Sequence, residues 1–130
     1  MLEVLSKETI EAIFDTLPVD ITFVDDTDTV RYFSRGDERI FPRRPEVIGR
    51  KVQDCHPLAS LQKVNQVVSE LKAGKRDVAE FWIDLKGRKI YIRYFPVRDK
   101  TGQYIGTLEV SQDITDIQKI EGQKRLMDVG

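Results

Sequence analysis

Three runs of strand-forming residues, 81–85, 89–98 and 104–112, follow one another so closely that only short turns separate them. The turns are Lys86-Gly87-Arg88 and Asp99-Lys100-Thr101-Gly102, whose glycines and aspartate suit hairpin geometry. Links this short join antiparallel neighbours, because a parallel pair needs a long crossover. The last run continues without a break into Asp113-Ile114-Thr115, which predicts the start of a charged helix over 116–130. A change on the sheet could then pass along one continuous piece of backbone to whatever follows.

The front of the chain supplies the rest of a sheet. Ser6, with Thr9 three residues on and Glu8 and Glu11 nearby, can start a helix whose positions Ile10, Ile13, Phe14 and Leu17 share one apolar face. Pro18 ends it. Val19, Ile21 and Phe23 alternate with Asp20 and Thr22, residues 25–28 make a polar turn, and 30–33 form a second short strand, giving a hairpin. From 34 to 57 the period is lost among Gly36, Pro42, Pro45, Gly49 and Pro57, with short helical turns expected at 38–41 and 45–48. Residues 58–73 then place Leu61, Val64, Val67, Val68 and Leu71 at helical spacing, with Gly74 as the stop. Two strands, a helical middle and three strands predict an α+β fold, a five-stranded antiparallel sheet with helices on one face, flanked by N-terminal and C-terminal helices.

With 130 residues, one domain with a single core is expected. The divisions are a flanking helix at 1–17, the domain at 18–115 and an exit helix at 116–130. Lys plus Arg number 21 against 22 Asp plus Glu, so no bulk charge favours nucleic acid or an anionic membrane. The single cysteine excludes an intrachain disulfide, and no apolar run approaches the ~20 residues that cross a bilayer. The first residues carry no basic region followed by an apolar stretch, so no signal peptide is read and the expected address is cytoplasmic.

The order of elements, the stretch GTLEVSQDIT at 106–115, IGRKV at 48–52 and VRD at 97–99 together resemble a PAS domain. The pieces LPVDITFVD at 17–25, VRYFS at 30–34, RIFPR at 39–43, CHP at 55–57 and GKRDVAEFW at 74–82 make it most similar to PAS domains at the C-terminal end of bacterial and archaeal proteins with a hemerythrin-like region. The resemblance implies a sensor or interaction module of signal transduction. No hemerythrin-like set of spaced histidines and carboxylates is present in these residues, so an output or hemerythrin-like domain would belong to a longer protein.

Candidate site residues divide between the helix entrance and the sheet. Cys55 and His56 are adjacent, and neighbours in sequence seldom reach one metal together, so no metal site is expected. Cys55 can be a small core hydrophobe or a redox-responsive thiol, and His56 can hydrogen-bond a nearby carbonyl or a ligand. Haem-binding PAS domains ligate iron through a histidine about two turns into the long helix. Here that region is Lys63-Val64-Asn65-Gln66, which leaves only His56 at the helix entrance for a haem. Flavin-binding relatives place a reactive cysteine two residues after the Gly-Arg pair, and Cys55 lies three positions too late.

On the sheet, Tyr91, Arg93, Phe95 and Val97 share one face and Ile90, Ile92 and Tyr94 the other, and either could lie beneath the helices. An inward Arg93 would need Glu80 or a ligand carboxylate, whereas an outward one would sit at the solvent edge beside Glu80 or Glu109. Phe81 and Trp82 point to opposite faces, so one aromatic should pack under the helical middle. The candidate ligand contacts are therefore His56, Arg93, Tyr91 and Trp82. The basic residues Arg39, Arg43, Arg44, Arg50 and Lys51 have no Gly-rich phosphate loop among them. With one histidine and no partner carboxylate in sequence, no catalytic set can be assembled and no enzyme is expected. Three readings follow: a sensor binding a small molecule in its core, a haem or redox module using His56 or Cys55, and a ligand-free dimerisation domain. A homodimer through the N-terminal helix is expected.

Overall fold

The computed structural model describes residues 2–35 and 39–130. Helix α1 (Lys7–Thr16) precedes a hairpin of β1 (Asp20–Asp25) and β2 (Val30–Phe33). Helix α2 (Leu58–Lys72) and the meander β3 (Ala79–Leu85), β4 (Arg88–Arg98) and β5 (Tyr104–Asp113) follow. The five strands form one antiparallel sheet in the order β2-β1-β5-β4-β3, so the chain's last strand lies in the middle, paired with β1 and β4.

Local chemistry sets the limits of these elements. The Ser6 hydroxyl accepts from the Thr9 amide at 3.1 Å and starts α1, and Pro18 turns the preceding Leu17 away from helical backbone. Helix α2 ends in a Schellman arrangement: Lys75 N donates to Glu70 O at 2.9 Å and Gly74 N to Leu71 O at 3.2 Å, with Gly74 at φ 74°. Arg98 adds a charge at that end by donating to the carbonyls of Leu71 (3.1 Å) and Lys72 (3.4 Å). Lys86 and Gly87, with φ of 51° and 78°, make the tight turn between β3 and β4.

One turn device recurs three times. Asp25, Asp99 and Asp113 each use one carboxylate oxygen to accept from both the amide and the hydroxyl of a threonine two residues on: Thr27, Thr101 and Thr115. These Asp-x-Thr units close the β1–β2 turn, the β4–β5 turn and the exit from β5.

Strands β1 and β5 turn their polar side chains toward α2. Toward α2 they present Asp20, Thr22 and Val24 from β1 and Thr107, Glu109 and Ser111 from β5, while Ile21, Phe23, Leu108 and Val110 lie on the opposite face. Strand β4 is apolar on the α2 side, where Ile90 and Ile92 are buried beside Tyr94. On the far face Gly106 is tightly enclosed, since a methyl group there would meet the Val24 carbonyl oxygen at 2.3 Å and the Phe23 ring at 2.5 Å.

Beyond β2 the irregular segment protects the sheet edge. Gly49 N donates to Val30 O and Val30 N to Arg50 O, each at 2.8 Å, so residues 49–51 run along β2. Arg39 fixes the start of this segment. It is 6% exposed and donates to the carbonyls of Ile21 (3.0 Å), Ser34 (2.7 Å) and Phe41 (3.2 Å) and to the Thr22 hydroxyl (3.1 Å).

Three expectations require correction. Residues 116–130 form no continuous helix, only single turns at Ile117–Lys119 and Leu126–Asp128, with Gly122 at φ 61° between them. Ile120 and Met127 bury nothing there, and a short helix with no packed face is not sustained. Neither aromatic of β3 is buried: Phe81 is 42% and Trp82 61% exposed, because β3 is an edge strand. The helical turn expected at 45–48 forms at Pro45–Val47. In the one expected at 38–41, Glu38 lies outside the described residues and 39–41 are not helical.

Candidate functional site

Helix α2 stands away from the sheet. Of its apolar stripe only Leu71 is fully buried, and that end is held by Arg98 and by a 2.8 Å ion pair between Lys72 and Asp28. Val64, Val67 and Val68 instead border a cavity of about 540 Å³ between the helix and the sheet. The size falls within the range of small-molecule sites, and the walls are mostly aliphatic and aromatic, as such sites are.

The far wall is the inward face of the sheet. Val24, Thr107, Glu109, Tyr94, Ala79 and Phe81 line it, so the polar set of β5 becomes the floor of an otherwise apolar cup. Among the described residues, the Glu109 carboxylate receives one hydrogen bond, from Arg43 Nη2 to Oε2 at 3.4 Å, and its side chain is 13% exposed. Thr107 shares a 2.7 Å hydrogen bond with the Tyr104 hydroxyl. Burial, with Glu109 adding to it, raises the Tyr94 phenol well above its ordinary value, so it stays protonated and available as a donor.

His56 stands at the mouth, between the turn Val52–Cys55 and the first residue of α2, and lines the same cavity. Burial pushes its pKa below the ordinary histidine value, against the pull of Glu109, which favours the neutral ring at pH 7. Its neighbour Cys55 lines a separate surface groove with Arg43, Arg44, Arg50 and Asp54, and its thiol approaches the Lys51 carbonyl at 3.7 Å. Among the described residues no three of His, Cys, Asp and Glu converge as a metal site would require.

The structure does not bring the sequence-derived contacts together. Tyr91, Arg93 and Trp82 lie on the outer face, across the sheet from His56, because the cup side of β4 belongs to Ile90, Ile92 and Tyr94. There Arg93 stacks over Tyr91 (4.7 Å) and Phe95 (5.6 Å) and reaches Gln112 at 3.4 Å, while the Tyr91 hydroxyl donates to Glu80. The basic group also divides: Arg39 is a buried structural donor, Arg43 pairs with Glu109, and Arg44 and Arg50 face solvent. Sequence reading missed Glu109, Tyr94 and Thr107 as site residues. The available signal was the alternation that puts Thr107, Glu109 and Ser111 on one face of β5.

Below the cup, β5 runs into a clamp. Asp113 accepts from Arg88 Nε at 2.7 Å with one oxygen and holds Thr115 with the other, and the Thr115 hydroxyl accepts from Lys89 N at 2.8 Å. The bonds from Arg88 and Thr115 hold the Asp113 carboxyl down to about 2. A depressed carboxyl stabilises the fold above its unfolded pKa and loses that contribution as pH falls through the folded value. Measured against the intrinsic rate at each pH, the Lys89 and Thr115 amides should therefore stay protected from hydrogen exchange down to the ordinary aspartate range and lose that protection between there and about pH 2. In Asp113→Ala the protection should be lost throughout.

A family described as PAS domain matches residues 10–115. Among solved structures, a C-terminal domain from Streptococcus mutans is 36% identical with a TM-score of 0.83, over 90% of this chain and 91% of that one. A PAS domain from Colwellia psychrerythraea is 20% identical with a TM-score of 0.60, over 84% and 97% of the two chains. A sensory box sensor histidine kinase from Vibrio cholerae is 11% identical with a TM-score of 0.58, over 82% and 90%. No curated protein matches the sequence.

Proposed function

The chain belongs to the PAS domain family, and from that premise we propose that it is a non-enzymatic sensor module that takes a small molecule into the cup between α2 and the sheet. PAS domains are typical of signal-transduction sensor proteins such as histidine kinases. The observation that carries the reading is the cavity of about 540 Å³, walled by apolar side chains and floored by the polar residues of β5. Because β5 continues into the Asp113 clamp, a ligand that shifts Thr107 or Glu109 acts on the strand that leaves the domain. Val67→Phe fills the cup from the helix side. Protein purified natively and then denatured for mass spectrometry should release a small molecule from the parent and none from Val67→Phe, and equal release from both would refute the cup as its site.

The outer face supplies the second part of the proposal, self-association. Leu108, Phe23 and Phe95, half-buried around the buried Val110, give that face an apolar character, and α1 with its C-cap leaves Ile13 47%, Phe14 36% and Leu17 41% exposed beside it. Phe14 meets this side of the sheet through the Tyr32 ring, 5.8 Å away between centroids. A two-fold dimer would cover both patches with the same elements from each subunit. Sedimentation should find the parent dimeric at micromolar concentration and an Ile13→Asp, Phe14→Asp double variant monomeric. A monomeric parent would rule the dimer out.

The setting is the third part of the proposal. The Streptococcus mutans structure is described as a C-terminal domain, which supports placing this module at the end of a longer protein, and the sequence resemblance alone suggests a hemerythrin-like or other domain before it. A cytoplasmic address fits such a module. Among the described residues no helix is long and apolar enough to cross a membrane.

A further inference from the structure

We infer that the cup selects small, largely apolar molecules bearing an N–H donor or a cationic nitrogen, which Glu109 receives, and that it rejects carboxylates. The inference rests on the reading of the cup as a ligand site. Its ground is the distribution of charge around the cavity. The deep charge is Glu109, at the centre of the floor on β5, with its side chain only 13% exposed. Arg43 approaches it with one nitrogen at 3.4 Å, at the long end of hydrogen-bond geometry, and itself lies outside the cavity in the neighbouring surface groove. Among the described residues no other donor reaches that carboxylate, so most of its accepting capacity is open to a ligand.

The cations on the cavity wall do not offset this. Lys63 and Arg76 stand at the rim, where Lys63 reaches Gln66 at 3.4 Å and Arg76 pairs with Glu70 at 2.7 Å. A carboxylate entering the cup would leave those rim charges behind and meet Glu109 as a like charge in an apolar setting, which is strongly unfavourable. A donor nitrogen meets Glu109 with a charge-assisted hydrogen bond and lays its ring against Phe81, Val64 and Val67. Tyr94, protonated beside Glu109, offers a second polar contact at the same depth.

A set of probes built on one ring tests this: benzamidine, benzamide, benzoate and toluene, measured by ligand-observed NMR titration against the whole chain. Benzamidine and benzamide should bind at least about tenfold more tightly than benzoate. Glu109→Gln should weaken benzamidine by about tenfold and leave toluene unchanged, with Val67→Phe abolishing all binding. Arg43→Gln keeps the carboxylate and removes its partner, so it should strengthen benzamidine, which guards against a folding defect in Glu109→Gln. Binding of benzoate and toluene as tight as that of benzamidine, still lost in Val67→Phe, would overturn the selectivity and leave the cup standing. Absence of binding by every probe would overturn both.

Discussion

Replacing Arg39 with alanine is expected to destabilise the fold by roughly 3–5 kcal/mol, the cost of breaking a buried charged network from one side. The four acceptors it serves, the carbonyls of Ile21, Ser34 and Phe41 and the Thr22 hydroxyl, lie on β1, on the residue after β2 and in the segment that crosses toward α2. Removing the guanidinium takes a donor from each of them, and Asp20, 1% exposed, loses one of the two guanidinium groups near it, the other being Arg35 at 3.9 Å. Burial lowers the pKa of Arg39 and Asp20 opposes that shift, so the two groups are electrostatically linked. Arg39→Lys should recover little of the loss, because a single ammonium cannot address acceptors that a planar fork reaches together. Urea denaturation of the three proteins measures this. A loss under about 1 kcal/mol in Arg39→Ala, the value of an ordinary hydrogen bond, would contradict the assignment.

Leu71→Ala is expected to cost about 2–5 kcal/mol and to free the whole of α2. Leu71 is the helix's only fully buried side chain, at 0% exposure, whereas the valines nearer the middle border the cup. A helix attached along its length would spread such a loss over many contacts. This one concentrates it near the C-terminal end, where Arg98 and Lys72 also hold it. Amide exchange in α2 should rise together from Leu61 to Val68 in Leu71→Ala, while β4 and β5 remain protected. In Val64→Ala the loss should be much smaller, since that side chain faces a space already open. Comparable losses at Leu71 and Val64 would mean that the helix packs on the sheet and no cup exists.

Strand positions, the long helix and the hairpin order were legible because period-2 and period-3.6 patterns with Gly and Asp turns mark them directly. The face of the sheet that becomes the site was not. An alternation such as Ile21 and Phe23 against Asp20 and Thr22 ordinarily points the apolar set at the core and the polar set at water, and here both faces are covered, with Ile21 buried on the outer face and Asp20 and Thr22 buried toward α2. An apolar stripe such as that of α2 ordinarily packs on a core, yet Val64, Val67 and Val68 line an opening, a difference that lies in the spacing between layers and not in the residues. Trp82, Tyr91 and Arg93 looked like ligand contacts as aromatic and charged side chains on adjacent strands, and sequence cannot tell the inner from the outer side of such a pair. The exit helix failed for a local reason, Gly122 and a charged run with nothing to pack against. The Asp-x-Thr pattern at 25, 99 and 113 is present in the sequence, but so is Asp20-Ile21-Thr22, which lies inside β1, so the pattern alone does not mark a turn.

The central claim is that the inner face of the sheet, and not the outer one, is the ligand surface. Two-dimensional amide NMR of the chain against a library of small aromatic amines and amides tests it most directly. Shift changes should gather at Val24, Tyr94, Thr107, Glu109 and the cup side of α2, extend along β5 toward Asp113, and vanish in Val67→Phe. Changes gathered at Trp82, Tyr91 and Arg93, and unaltered in Val67→Phe, would contradict the account.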